Sequence, residues 1–191
     1  MKATPLLLLV SSALASFVFS AMAQQQAPAA QVWRQSQKTN PSRGSTYTRF
    51  TLEGKFLKAP QGDFPNRPAL VVDCAPGKGS RKGKFAAANL LIGPTMKIDY
   101  VEPQEIHGTS YYPKISVRYR LDDGKEVEEK WTPGPEKTSA TIPKDALKRL
   151  FGARTVQLAA EDDRGSRLVM QFDMPASPPV EEACNVDSRK K

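Results

Sequence analysis

The chain has 191 residues, 28 Lys+Arg against 20 Asp+Glu, and a formal net charge of +8. That length suits one domain, and the Val, Leu, Ile and aromatic content suffices for a core, which excludes a globally disordered chain. Its 16 prolines and 12 glycines favour turns and short strands over long helices.

At the amino terminus Lys2 precedes an apolar run over residues 6–19 and then Ala21-Met22-Ala23. These are the three parts of a cleavable secretory signal over residues 1–23, with Gln24 as the new amino terminus. A retained anchor would need about 20 apolar residues, more than this run supplies. No Cys stands at the cleavage site, which argues against a lipid-modified terminus, and nothing after residue 24 is apolar for long enough to span a membrane. The expected location is the periplasm or the extracellular medium. Export argues against nucleic acid as a partner. The basic balance points to an unknown protein or an anionic cell-envelope component, with ordinary solubility charge as the plainer explanation. Cys74 and Cys184 are an even pair in an exported chain, which predicts a disulfide. A metal or redox pair is the alternative, disfavoured because there is no C-x-x-C spacing and no neighbouring His.

Residues 24–45 are expected to form a flexible leader from which Trp33 docks, residues 46–185 a single β-rich domain, and residues 186–191 a basic tail. The span 46–53 reads as a strand with Thr48, Phe50 and Leu52 on one face, and 69–74 as a strand with Leu70, Val72 and Cys74 together. Residues 76–83 are a basic turn. The span 85–92 is apolar on both faces and suits either a helix or a buried strand; its strand neighbours favour the strand. A short strand is expected over 96–101.

The strongest local pattern is Ile115 to Leu121, then Asp122-Asp123-Gly124, then Lys125 to Trp131. A two-residue loop mixes apolar and charged residues on each face. A three-residue loop with Gly124 in the left-handed conformation pairs Tyr119 with Val127, Ile115 with Trp131, Arg118 with Glu128 and Arg120 with Glu126. That register separates one mostly apolar face from one of paired charges. One helix follows: Pro143 in its first turn, Ala146, Leu147, Leu150 and Phe151 on one face, Gly152 at its end. Strands over 155–160 and 167–172 flank a polar turn, and Pro178-Pro179 leads into a helical turn carrying Cys184. The expected fold is mainly β: an antiparallel β-sandwich or curled sheet with one short helix and a C-terminal helical turn.

A search for chemistry returns little. His107 is the only histidine and sits in a Gly- and Pro-containing loop with no nucleophile motif. Zinc would have to rest on that His and two bridged cysteines, so no metal and no cofactor is expected. Glu161-Asp162-Asp163 and Asp122-Asp123 read as solvated turns and do not match a calcium loop. Gly77 to Lys84 is not spaced as a phosphate loop, yet Lys78, Arg81, Lys82 and Lys84 form a candidate anion-binding cluster. Tyr111-Tyr112 is either a binding pair or cover for a sheet edge. The expectation is an exported, non-catalytic binding or accessory module of the cell envelope; the alternative is a secreted hydrolase that uses two carboxylates.

Trp33 before a strand, Cys74, the hairpin Val117 to Gly124 leading to Trp131, the short helix, Val169 to Phe172 and the late Cys184 together resemble the VasI-type family of type VI secretion-associated periplasmic proteins. The chain departs from that pattern between Cys74 and Arg118, where the basic turn and a further loop intervene. The resemblance implies a β-rich exported accessory domain with a disulfide and no established catalytic residues. Arg118, Arg120, Asp123, Gly124 and Trp131 would be its structural hairpin residues.

Overall fold

The fold is taken from a computed structural model, which describes residues 32–39, 44–60, 67–76, 83–101, 112–176 and 178–184. Among the described residues eleven antiparallel strands form one sheet in the order β1 (Arg34–Thr39), β2 (Thr46–Glu53), β4 (Ala69–Ala75), β5 (Lys84–Leu91), β9 (Ser139–Thr141), β8 (Val127–Pro133), β7 (Tyr112–Leu121), β10 (Thr155–Glu161), β11 (Arg167–Asp173) and β3 (Lys55–Lys58), with β6 (Asp99–Val101) beside β7. It curls into a half-barrel, the curled-sheet form of the expected mainly β fold.

Alternation builds the first half. In β2 (Thr46–Glu53) Phe50 and Leu52 are fully buried and their neighbours are partly exposed. In β4 (Ala69–Ala75) Leu70, Val72 and Cys74 face the core, as the sequence predicts. Across this pair Arg49 grips Asp73 with two hydrogen bonds of 2.8 Å, and the fork raises the Arg49 pKa. The ambiguous apolar span is a strand, β5 (Lys84–Leu91), with Ala88 and Leu90 inward.

Two bent strands produce the curl. The chain runs from β2 straight into β3 (Lys55–Lys58) through Gly54; β2 pairs with β4, but β3 pairs with β11 (Arg167–Asp173). A Cβ on Gly54 would lie 2.6 Å from Phe172 Cε1 and 2.7 Å from the Gln171 carbonyl oxygen, so this corner has room for glycine alone. At the other corner β8 (Val127–Pro133) pairs with β7 (Tyr112–Leu121) over its first five residues and with β9 (Ser139–Thr141) at its end. The core lies inside this curve, with Phe50, Leu70 and Leu90 from one half and Tyr119, Trp131, Leu158 and Phe172 from the other. Helix α1 (Lys144–Phe151) closes it with Ala146, Leu147, Leu150 and Phe151, the expected face. Asp145 in its first turn and Lys148 and Arg149 in its last complement the helix dipole.

Five expectations change. The leader expected over 24–45 is not wholly free, because Arg34–Thr39 forms β1 along the edge of β2. All six of its residues are exposed, so ladder pairing defines it and no alternation announces it. Trp33 docks as expected, edge-on to Phe151 at 5.9 Å. The expected strand over 96–101 is shorter: β6 is Asp99–Val101, and Met96 makes only an isolated bridge with Asp162.

The hairpin keeps its predicted register, Ile115↔Trp131, Arg118↔Glu128 and Tyr119↔Val127, but its turn is built differently. Gly124 is not left-handed; Asp122 is, at φ 48°. Asp122 holds that conformation because its Oδ1 accepts from the backbone N–H groups of Arg154 (2.9 Å) and Thr155 (2.8 Å), and Asp is among the few residues that tolerate it. Gly124 N–H closes the turn onto the Leu121 carbonyl at 2.9 Å, while Asp123 is exposed. The ladder stops before Arg120, and Glu126 pairs with Arg167 at 2.9 Å. Asp162 is not solvated: it is 5 % exposed, and its Oδ1 accepts from Arg164 N (3.0 Å) and Ser166 N (2.7 Å), fixing the β10–β11 turn.

Candidate functional site

Of the candidate anion-binding residues, Lys78, Arg81 and Lys82 lie outside the described residues, as do His107 and Tyr111. Lys84 is described: it opens β5, is exposed, and sits opposite Ala75. The strands that the basic segment joins are held at their ends. Helix α2 (Pro179–Ala183) delivers Cys184 beside Cys74 with Cα atoms 5.7 Å apart, inside the range for a disulfide. Gly83 N–H donates to the Ala183 carbonyl at 2.8 Å, and Gly83 and Cys184 form a parallel bridge. The segment between Cys74 and Gly83 therefore springs from a base tied to the carboxyl-terminal helix.

A second set of polar residues was not read as a site from the sequence, where Arg118 is only a hairpin residue and Glu161 only a turn acid. In β7 Ser116 and Arg118 alternate with the buried Ile115, Val117 and Tyr119, so they face away from the core. Opposite Arg118 stands Ala159 of β10 (Thr155–Glu161), a small residue in a row of long ones. Over it opens a pocket of 170 Å³ lined by Lys97, Asp99, Ser116, Arg118, Ala159, Ala160, Glu161 and Arg167. Lys97 pairs with Glu161 at 3.1 Å, Arg118 with Glu128 at 3.1 Å, and Asp99 with Lys130. A wider depression of 670 Å³ includes Glu53, Arg67, Leu91 and Glu136 on the other half of the sheet.

Hydrogen bonds from the Lys130 ammonium and then from the Ser116 hydroxyl hold the Asp99 carboxyl below its ordinary pKa. A depressed carboxyl stabilises the fold above its unfolded pKa of about 3.9 and loses that contribution as pH falls through the folded value. Asp99→Asn is thus expected to flatten the stability profile only below about pH 5, where the unfolded carboxyl begins to take up its proton. Identical acid slopes for variant and parent in denaturant titrations would remove Asp99 from that account.

One acid faces inward. Glu129 lies between Val127 and Trp131 in β8, on the side expected to be mostly apolar. It accepts from Trp131 Nε1 (3.0 Å) and from the Tyr119 hydroxyl (2.8 Å), and Arg149 of α1 completes an ion pair with it. Arg149 Nε also donates to the Tyr119 oxygen at 3.0 Å. Burial raises the Tyr119 pKa, which keeps the hydroxyl protonated as the donor this arrangement needs. The cluster ties the helix to the hairpin, with each polar group answered.

Among the described residues no group of three or more His, Cys, Asp or Glu is placed to hold a metal ion, and no helix is long and apolar enough to cross a membrane. No family model, no curated protein and no solved structure matches the chain.

Proposed function

We propose that this is an exported, non-catalytic binding or accessory module of the cell envelope that takes anionic envelope material at the basic segment between β4 and β5. One observation carries the reading: a stretch holding Lys78, Arg81, Lys82 and Lys84 springs from a base tied by Gly83, Ala183 and the Cys74–Cys184 pair. A fixed base limits the conformational entropy lost when the four cations engage one ligand. Each exposed contact contributes little alone, and four acting together give salt-sensitive retention. The cysteine pair at disulfide distance fits an oxidising compartment, as does the signal read over residues 1–23. The resemblance to VasI-type periplasmic proteins is part of the same proposal. The carboxylate hydrolase stands second, because both acids lining the 170 Å³ pocket are engaged, Asp99 with Lys130 and Glu161 with Lys97.

The test uses exported protein whose intact mass is expected to begin at Gln24. Reversing Arg81 and Lys82 to Glu should weaken retention on anionic phospholipid vesicles or anionic glycan without unfolding the domain. Raising salt should do the same, since the screening length falls from about 10 Å at 0.1 M to about 3 Å at 1 M. Retention indifferent to both the reversal and the salt would overturn the assignment of the basic segment.

A further inference from the structure

We propose that the pocket over Ala159 is a separate site for a small zwitterion, a free amino acid bearing both a carboxylate and an ammonium. Ala159 pairs with Arg118 of β7 on one side and Val169 of β11 on the other. Ala159 is buried, 6 % exposed as a whole residue, and the hollow above it is walled by longer side chains. At 170 Å³ it suits one residue and not the interior of a polymer.

The wall charges select the ligand. Three cations and two carboxylates line the pocket: Lys97, Arg118 and Arg167 against Asp99 and Glu161. Arg118 and Arg167 are each anchored by an acid outside the lining, Glu128 and Glu126. Asp99 is likewise anchored by Lys130. The one ion pair with both members in the wall is Lys97–Glu161, whose side chains are 53 % and 42 % exposed. Pairs this exposed contribute about 0–1 kcal/mol, so opening it costs little. A ligand of one charge that parts this pair leaves one partner unmatched. A zwitterion answers both, its carboxylate meeting Lys97 with Arg118 or Arg167 nearby and its ammonium meeting Glu161 with Asp99 nearby. Charge-assisted hydrogen bonds in a partly desolvated hollow are the stronger class.

This site lies on the β7–β10–β11 half of the sheet and shares no residue with the basic segment, so either assignment can fail alone. The test is an amide NMR titration of the mature protein with alanine, N-acetylalanine and alaninamide. Alanine should produce saturable shifts at Lys97, Ser116, Ala159 and Glu161, and each blocked analogue should bind roughly tenfold more weakly or worse. Ala159→Leu should fill the hollow and abolish the response in a protein that keeps a dispersed spectrum. Should that variant fail to fold, Glu161→Gln serves instead and should lose the preference for alanine over N-acetylalanine. Absence of saturable shifts with alanine, equal binding of a blocked analogue, or an unchanged response in the folded variants would overturn the proposal.

Discussion

Replacing Cys74 and Cys184 together by alanine is expected to lower the unfolding free energy by roughly 5 kcal/mol, the chain-entropy value for so long a closed loop. The pair is 110 residues apart in sequence, and both side chains are buried. Helix α2 has only five residues and cannot persist alone, so loss of the bridge also leaves Val180 and the Gly83–Cys184 contact without support. Denaturant unfolding followed by tryptophan fluorescence should give a lower midpoint for the double variant. A reductant should bring the parent to that midpoint and leave the variant unmoved. Coincident midpoints with and without reductant would mean that the cysteines are not bridged.

Gly54→Ala should cost about 3 kcal/mol, at the upper end for overpacking a dense interior. The added methyl would meet the Phe172 ring at 2.6 Å and the Gln171 carbonyl at 2.7 Å, and a main-chain oxygen cannot swing aside. The backbone is fixed as well, since Gly54 N–H donates to the Pro68 carbonyl at 2.7 Å. Gly152→Ala is the matching control: its φ is −78° and the closest neighbour of its new methyl is 3.4 Å away, so the change should be near neutral. If the two variants unfold at the same midpoint, the corner opens without resistance and the bend at Gly54 is not set by close packing.

The core faces were legible because burial imposes a period on the sequence. Phe50 and Leu52, Leu70 and Val72, Val117 and Tyr119 all recur at two-residue spacing, and each pair is buried. Register in the β7–β8 hairpin followed from matching faces, since a one-residue slip would have placed Trp131 outside. Where contacts between distant residues decide a conformation, local pattern misled. Asp122 took the left-handed position from Gly124 because the start of β10 offers two N–H groups to its carboxylate. Glu129 looks like an error in an apolar face until Arg149, eighteen residues beyond Trp131, arrives on the helix. The hollow over Ala159 was invisible for a similar reason. It draws on β6, β7, β10 and β11 and on Lys97 before them. The clue available in the sequence was a lone small residue on the polar side of a strand.

The bent strand at Gly54 also sets an order of events. Phe56 and Lys58 find their partners in Met170 and Val169, more than a hundred residues later. A strand made early in synthesis therefore waits for one made near the end, and pairing over such distances is slow. Until β11 has been made, β3 is an unmatched edge and one side of the half-barrel stays open. The nascent chain is thus kept from closing its half-barrel early. The meeting of Cys184 with Cys74, 110 residues apart in sequence, falls later still.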